Sequence, residues 1–311
     1  MADGPGRWAT RILAVVAALG VLLPATPAYA ESVEPAPELS APKAPAITQK
    51  VIFNNPWGKT SAQRRIADEY IRLIRTAASG TNVRIGFFSL SDVKLTDAMI
   101  AAKKRGVRIQ VIVNSHAWNT KQVKRLRKAL GTNRSKRAWV AKRPKNWTHS
   151  KFVAVESGQV VVISSQNGTK SGIWQQQNDA VITRGDATLH DAVVRQFELM
   201  SRGETSRAAL GTRVTSGTTT LRFYPASSHA GQAILGLLND ISCEVGGRRT
   251  RVWGIMWIWT AAGQPVAKRL AELAQEGCDV RMIVSPLETR KSIRKILLKG
   301  GVATKVPNGS K

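Results

Sequence analysis

The chain has 311 residues, of which 43% are hydrophobic and 22% are charged. That composition is typical of a globular protein with a proper core and excludes an intrinsically disordered chain. The 47 Lys and Arg residues outnumber the 20 Asp and Glu residues, which gives a formal net charge of +27. A field of that sign attracts nucleic acid, anionic lipid headgroups or acidic polymers, although charge alone also fits a merely basic protein.

The first thirty residues are typical of a secretory signal peptide. Arg7 and Arg11 precede an apolar run at residues 12–23, and the small-x-small sequence Ala-Tyr-Ala ends at Ala30. An apolar run of this length is too short to span a hydrocarbon core of about 30 Å. We therefore expect cleavage after Ala30 and a secreted, extracellular product. Residues 31–50, rich in Pro and Ala, are predicted to be a linker.

The pattern of the remaining residues predicts an α/β fold that occurs twice in the chain. Strand-like and helix-like segments alternate, and the same order returns in register when Gly106 is placed on Gly277. Two unrelated βαβ runs are the alternative, but the matching order, lengths and offset favour an internal duplication. We predict two tandem, similar α/β/α lobes, 51–200 and 220–311, packed about a pseudo-two-fold axis and joined by a polar connector, 201–219.

Four spaced polar side chains follow the strand pattern of the first lobe. His149 and Lys151 are two residues apart and therefore share one face of a strand, while Ser165 and Asn167 end the next apolar run. An imidazole beside an ammonium suits an anionic substrate better than a divalent metal. Phosphodiester cleavage needs a nucleophile and donors for the phosphoryl oxygens, and these residues supply both. Because neither HExxH nor paired Cys ligands occur, we expect no metal and no cofactor.

In the order His-x-Lys, acid, Gly-Ser-x-Asn, these residues resemble the signature of the phospholipase D superfamily. The acid of that pattern is Glu156 here, Ser164 replaces the Gly, and the gap between them is one residue longer than usual. The following segment is also similar, with Trp174 ahead of the pair Asn178-Asp179. The order of the predicted strands and helices also resembles that of the family, over roughly residues 50 to 311.

The resemblance implies a catalytic role for each motif residue. His149 is expected to form a phosphohistidine, Lys151 to supply positive charge, and Asn167 and Ser165 to donate hydrogen bonds to the oxyanion. It also implies a second His on the other lobe that protonates the leaving group. One repeat length beyond His149 lies past Lys311, so we expect the second lobe to be incomplete and the chain to be cut short.

Further residues near the motif are assigned to substrate binding: Glu156, Trp147, Trp174, Asn178, Asp179 and His116. His116 follows the apolar strand pattern at residues 108–113, and ligand sites of α/β folds often lie at the carboxyl ends of strands. A solvated loop histidine is the alternative there, and ordinary packing is the alternative for the two Trp residues.

Three functions follow from these observations. The leading hypothesis is a secreted phospholipase D-type enzyme that hydrolyses phospholipid headgroup phosphodiesters at a membrane surface. A secreted nuclease of the same superfamily is the alternative, favoured by residues 121–147, which carry eleven Lys or Arg and no acid. A catalytically inactive cationic binder of membranes or polyanions is the third. If the chain is truly this short, a homodimer that supplies the second His and a loss of activity are the two alternatives.

The chain has two cysteines, Cys243 and Cys278. In an exported protein an even count favours a disulfide, with two buried free thiols as the alternative.

Overall fold

A computed structural model describes residues 46–143, 148–224 and 230–306. The predicted signal peptide, most of the predicted linker and Trp147 lie outside the described residues. The described chain is a mixed α/β structure, which confirms the predicted fold class. The packing of two lobes about a pseudo-two-fold axis stays a prediction.

A mixed seven-stranded sheet dominates the predicted first lobe. Its spatial order is β1-β7-β6-β5-β2-β3-β4. The strands are β1 Thr48–Phe53, β2 Asn82–Phe87, β3 Arg108–Val113, β4 Trp139–Lys142, β5 Lys151–Val155, β6 Val160–Ser164 and β7 Asp179–Arg184. The β2-β3-β4 pairs are parallel, whereas every neighbouring pair from β1 through β7, β6 and β5 to β2 is antiparallel.

Helices cover both faces of this sheet. They are α1 Thr60–Gln63, α2 Arg65–Thr76, α3 Val93–Lys104, α4 Lys121–Leu130, α5 Lys170–Trp174, α6 Ala187–Arg202 and α7 Arg207–Leu210. The apolar stripe of α2, including Ile66, Tyr70 and Ile74, is buried as the helical spacing predicts. It packs with α3 and α4 on one face, while Phe197 of α6 lies in a second core cluster with Trp139 and Phe152.

The strand directions bring many chain segments to one edge of the sheet. Parallel β2 and β3 both end there, and antiparallel β5 begins beside the end of β2, where Phe87 pairs with Lys151. Because β5, β6 and β7 are antiparallel to one another in turn, β6 ends and β7 begins at this same edge, where Ser164 pairs with Ala180. We call this end of the sheet the polar edge. The segments that connect these strands place Phe88, His149 and Ser165 there.

The second part of the chain begins with a hairpin. It contains β8 Arg213–Ser216, β9 Thr219–Arg222, α8 Ala230–Asn239, β10 Glu244–Val245, β11 Arg248–Arg249, β12 Arg251–Met256, α9 Gln264–Gln275, β13 Asp279–Val284, α10 Lys291–Lys299 and β14 Ala303–Lys305. The predicted connector 201–219 holds α7 and β8. Strand β9, at the beginning of the predicted second lobe, pairs with β8 of this connector in an antiparallel hairpin.

Strands β12, β13 and β14 form a parallel sheet, joined through α9 and α10. This is the order of β2, α3, β3, α4 and β4 in the first lobe, with the same parallel pairing. The internal duplication itself stays a prediction. Cys243, after α8, and Cys278, before β13, form a disulfide. In the part of the chain that the structure describes, no helix has the length and apolarity needed to cross a membrane.

Candidate active site

His149 and Lys151 meet at the polar edge. His149 lies in the connection just before β5, and Lys151 is the first residue of that strand. Lys151 is only 5% exposed, yet its Nζ donates a hydrogen bond to the His149 carbonyl oxygen at 2.5 Å. The same Nζ lies 5.4 Å from the centroid of the Phe88 ring. The ammonium is thus held by the backbone of His149 and by the face of the Phe88 ring.

The environment separates the protonation states of this pair. Burial lowers the pKa of Lys151 from its ordinary value to about 8. Burial, and after it the charge of Lys151, lowers the pKa of His149. Near neutral pH the lysine therefore keeps its proton while the imidazole is neutral. A neutral imidazole has the lone pair that a nucleophile needs.

Ser165 ties the end of β6 to the beginning of β7. Its Oγ lies 2.7 Å from Oδ1 of Asp179 and 3.1 Å from Oδ1 of Asn178, and it accepts a hydrogen bond from the Asp179 backbone N–H at 3.0 Å. The hydroxyl therefore faces a carboxylate in this structure. Its expected role as an oxyanion donor stays a prediction, as does substrate binding by Asp179, which is exposed at the polar edge.

Asn178 supports the site from within. Its side chain is buried, its Nδ2 donates to the Gly172 carbonyl at 2.9 Å, and its backbone N–H donates to Oδ1 of Asn54 at 2.6 Å. The carboxamide is therefore engaged in joining α5 to the start of β7. The substrate-binding role that the sequence suggested for Asn178 stays a prediction.

Asn167 sits in the turn between β6 and α5. Its side chain is partly buried, and its Oδ1 has no hydrogen-bond partner among the described residues. Gly172 allows the helix to approach this turn, because a Cβ there would lie 2.7 Å from the Asn167 carbonyl oxygen. The turn is thus closely packed, while the carboxamide of Asn167 retains the capacity to bind a ligand. Its oxyanion role stays a prediction.

Trp174 ends α5 and packs against a buried cation. The Arg64 guanidinium lies 5.5 Å from the centroid of its ring and also pairs with Asp68 at 3.0 Å and Asp92 at 3.3 Å. These contacts join α2, α3 and α5, so the structure supports the packing alternative for Trp174.

Glu156 lies at the wrong end of β5 for a substrate ligand. It follows the last residue of the strand, whereas His149 precedes the first, and each strand residue adds about 3.3 Å. Its Oε2 accepts hydrogen bonds from the Asn82 backbone N–H at 2.6 Å and from Asn82 Nδ2 at 2.7 Å. The hydrogen bond from the Asn82 backbone is the main cause that lowers the pKa of Glu156. The predicted substrate-binding role is corrected: Glu156 fastens β5 to β2.

The structure adds two residues that the sequence analysis missed. Phe88 follows β2, and its ring centroid lies 4.8 Å from that of His149 and 4.3 Å from that of His116. Asn114 follows β3, is almost fully buried, and donates from Nδ2 to the Thr148 carbonyl at 3.0 Å. Each is the first residue after a buried parallel strand, which is the signal that could have identified them.

His116, placed near a ligand site by the sequence, does lie at the polar edge. Its ring contacts Phe88, and its Nε2 is 3.2 Å from the hydroxyl of Ser89. Among the described residues, no group of three or more His, Cys, Asp or Glu side chains is arranged to hold a metal ion.

The fold and the polar edge together define an α/β protein with a His-x-Lys site suited to phosphoryl transfer. Residues 70–201 match a family profile described as "Cardiolipin synthase, PLD-like domain". This match identifies residues 70–201 as a phospholipase D-like domain, a family whose members act on phosphodiesters. No curated protein sequence matches the chain.

Solved structures share the fold at low sequence identity. Phosphatidylserine synthase from Haemophilus influenzae is 10% identical over 84% of this chain and 73% of its own, with a TM-score of 0.52. Polyphosphate kinase from Porphyromonas gingivalis is 13% identical over 83% of this chain and 40% of its own, with a TM-score of 0.50. Nuc from Salmonella typhimurium, a phospholipase D family member, is 17% identical over 51% of this chain and 96% of its own, with a TM-score of 0.40. At these identities the likeness concerns the fold alone.

Proposed function

We propose that the protein is a secreted phospholipase D-type phosphodiesterase that hydrolyses phospholipid headgroup bonds through a phosphohistidine on His149. The observation that carries this proposal is the pairing at the polar edge. A neutral imidazole belongs to the residue whose carbonyl oxygen binds a buried ammonium, and a phosphodiester anion and an attacking nitrogen together require such a pair.

The chemistry follows from these two side chains. A ring nitrogen of His149 attacks phosphorus, the new P–N bond forms, and the P–O bond to the headgroup alcohol breaks. Water then attacks phosphorus, breaks the P–N bond and restores the imidazole. An ammonium has three N–H donors, so Lys151 can keep its bond to the His149 carbonyl while attracting a phosphoryl oxygen. Its charge acts strongly because little water surrounds it.

A lipid substrate is supported by three observations. The matching family profile bears the name of cardiolipin synthase, and one structural neighbour is a phosphatidylserine synthase, both names of phospholipid enzymes. The predicted signal peptide would export the protein. The strongly positive chain would be attracted to anionic membrane surfaces, to which it would bind peripherally.

A secreted nuclease is the second candidate, and α4 favours it. This helix begins just after the turn that holds His116, and Lys121, Lys124 and Lys128 are exposed along it at helical spacing. Such a stripe would contact successive phosphates of a nucleic acid and draw the polymer toward the polar edge.

One experiment compares these candidates. The purified full chain, its His149→Ala variant and the control variant Asn119→Ala are incubated with phosphatidylcholine vesicles and, separately, with plasmid DNA. We expect choline release by the wild type and the control, and no release by His149→Ala at an unchanged circular dichroism spectrum. Asn119 is exposed near the same edge, so its variant controls for surface truncation.

The other outcomes are informative. Nicking without choline release would favour the nuclease. Hydrolysis of neither substrate would favour an inactive cationic binder. Choline release at the wild-type rate by His149→Ala would exclude His149 as the nucleophile.

A further inference from the structure

An exposed tryptophan stands in the short connection between β1 and α1. Trp57 is 70% exposed, more than any other large hydrophobic side chain described in the predicted first lobe. An indole has one of the largest apolar areas of any side chain, and in folded proteins most of that area is usually buried. A single exposed apolar side chain is ordinary by itself. Trp57 differs in its position, its rigid support and its neighbours.

The strand register places Trp57 at the polar edge. Phe53, the last residue of β1, pairs with Asp179, the first residue of β7. Because β7 begins at the polar edge and β1 is antiparallel to it, β1 ends at the polar edge. Trp57 follows within the connection that leaves β1 there. It therefore lies at the same end of the sheet as His149.

Hydrogen bonds hold the turn that carries Trp57. The backbone N–H of Trp57 donates to Oδ1 of Asn55 at 3.0 Å. The backbone N–H of Asn55 donates to the Ala62 carbonyl at 3.0 Å, and Nε2 of Gln63 donates to the Pro56 carbonyl at 2.8 Å. The last two bonds fasten the turn to α1, and the ring of Pro56 restricts its backbone further. The indole is thus presented by an ordered segment, which reduces the entropy lost when it binds a partner.

Other exposed apolar side chains lie at the same end of the sheet. Phe53 is 56% exposed at the end of β1, and Val93 is 50% exposed at the beginning of α3. Asp92, which precedes Val93, pairs at 3.3 Å with Arg64, which precedes α2. That ion pair holds the beginning of α3 beside the segment that follows the Trp57 turn. Apolar groups therefore accompany Trp57 at the polar edge.

Lysines accompany these apolar groups. Lys59 follows the turn, Lys170 begins α5 after β6, and both are exposed. Asp179 is an exposed acid at this edge, and its Oδ1 accepts a hydrogen bond from Ser165. Lysines beside an exposed indole suit an anionic phospholipid bilayer, in which tryptophan rings lie at the level of the headgroups and cations attract their phosphates.

We propose that the Trp57 turn, residues 55–58, inserts into the interface of an anionic phospholipid bilayer and so turns the polar edge toward the membrane. The inference rests on the proposed function, because it names the surface through which a phospholipid-hydrolysing enzyme meets its substrate. Insertion raises the concentration of headgroups at His149 without changing the chemistry there. Losing Trp57 should therefore impair the reaction on bilayers far more than the reaction on dissolved lipid.

The first test measures binding to vesicles. The full chain and its Trp57→Ala, Trp57→Phe and Trp253→Ala variants are sedimented with vesicles of phosphatidylglycerol and phosphatidylcholine. Trp253→Ala is the matched control, because Trp253 is 60% exposed on β12 in the second part of the chain. Trp57→Ala should weaken vesicle binding about tenfold or more, since the indole contributes a large apolar area. Trp57→Phe should retain most of the binding, and Trp253→Ala should bind as the wild type does.

The second test compares two physical forms of one substrate. Choline release is measured with phosphatidylcholine in the same mixed vesicles and with dibutanoyl phosphatidylcholine, which stays dissolved as single molecules. Trp57→Ala should lower kcat/KM about tenfold or more on vesicles, mainly through KM, and by less than about twofold on the dissolved lipid. Unchanged circular dichroism spectra would show that the variants fold.

The outcomes separate this inference from the proposed function. Equal vesicle binding by Trp57→Ala and the wild type, or an equal loss in Trp253→Ala, would overturn the docking role and leave the proposed function intact. Equal losses on vesicles and dissolved lipid would place Trp57 in the reaction itself and also overturn docking. Weaker binding of plasmid DNA with unchanged binding of vesicles would assign the turn to nucleic acid instead. Vesicle binding that depends on Trp57 in an enzyme that hydrolyses no phospholipid would overturn the proposed function alone.

Discussion

Replacing Lys151 with Met should stabilise the fold at neutral pH while removing activity. The ammonium is buried, and its pKa falls from the ordinary 10.5 to about 8. At 1.36 kcal/mol for each pKa unit, keeping the proton costs the folded state about 3 kcal/mol. Methionine has a similar volume and no charge, but it loses the hydrogen bond to the His149 carbonyl, which contributes about 1 kcal/mol. The expected net gain is about 2 kcal/mol at pH 7.

The pH dependence follows from the direction of the shift. Between pH 8 and 10.5 the folded wild type has released this proton while the unfolded chain still binds it. The stability of the wild type therefore rises with pH across that window, and the advantage of Lys151→Met should disappear by about pH 10. Urea unfolding followed by Trp fluorescence at pH 7 and at pH 10 measures both free energies.

Lys128→Met is the matched control, because it makes the same replacement at a lysine that is exposed on α4. Choline release should be lost in Lys151→Met and kept in Lys128→Met. If Lys151→Met is less stable than the wild type at pH 7, or keeps the same advantage at pH 10, the reasoning about the buried ammonium is refuted.

Two more predictions concern the supports of the fold. Glu156→Gln should keep activity but cost about 1 kcal/mol at pH 7, a value reduced for solvent exposure, because Asn82 loses a charged acceptor. Folding lowers the pKa of Glu156, so its contribution to stability is present above the unfolded-state pKa and is lost as the pH falls through the folded-state pKa. Urea midpoints of the wild type and the variant at pH 7 and pH 3 measure this contribution. A loss of activity in Glu156→Gln would show that Glu156 takes part in the reaction. Serine at both Cys243 and Cys278 removes a cross-link between residues 35 apart and should cost about 3–4 kcal/mol. Equal urea midpoints with and without reductant would contradict the disulfide.

Local patterns in the sequence predicted much of the fold and part of the candidate site. The His-x-Lys spacing predicted two neighbours on one strand; the structure places His149 just before β5, and Nζ of Lys151 donates to its carbonyl oxygen. The apolar spacing around Tyr70 predicted a buried helix face, which α2 has. Such patterns succeed because strand and helix periods are properties of the backbone itself.

Contacts between distant segments were not available from those patterns. Glu156 was assigned to substrate binding as the acid of the family pattern, yet it follows β5 at the opposite end of the sheet from His149. Asn178 was read as a ligand because it adjoins the motif, but its carboxamide is engaged inside the fold. For Glu156, closeness in sequence misled because a strand converts the seven residues from His149 into a long physical separation.

The sequence by itself determined the α/β class, the phospholipase D superfamily resemblance and the identity of the His149–Lys151 pair. All of these depend on the local order and chemistry of residues. Only the tertiary structure decided that the ends of β2 and β3 meet the start of β5, and so placed Phe88, Asn114 and His116 around His149. It also decided the burial that lowers the pKa of both groups, because desolvation arises only when distant segments pack together. The imidazole is therefore neutral near pH 7, whereas Lys151, with a pKa of about 8, still keeps its proton.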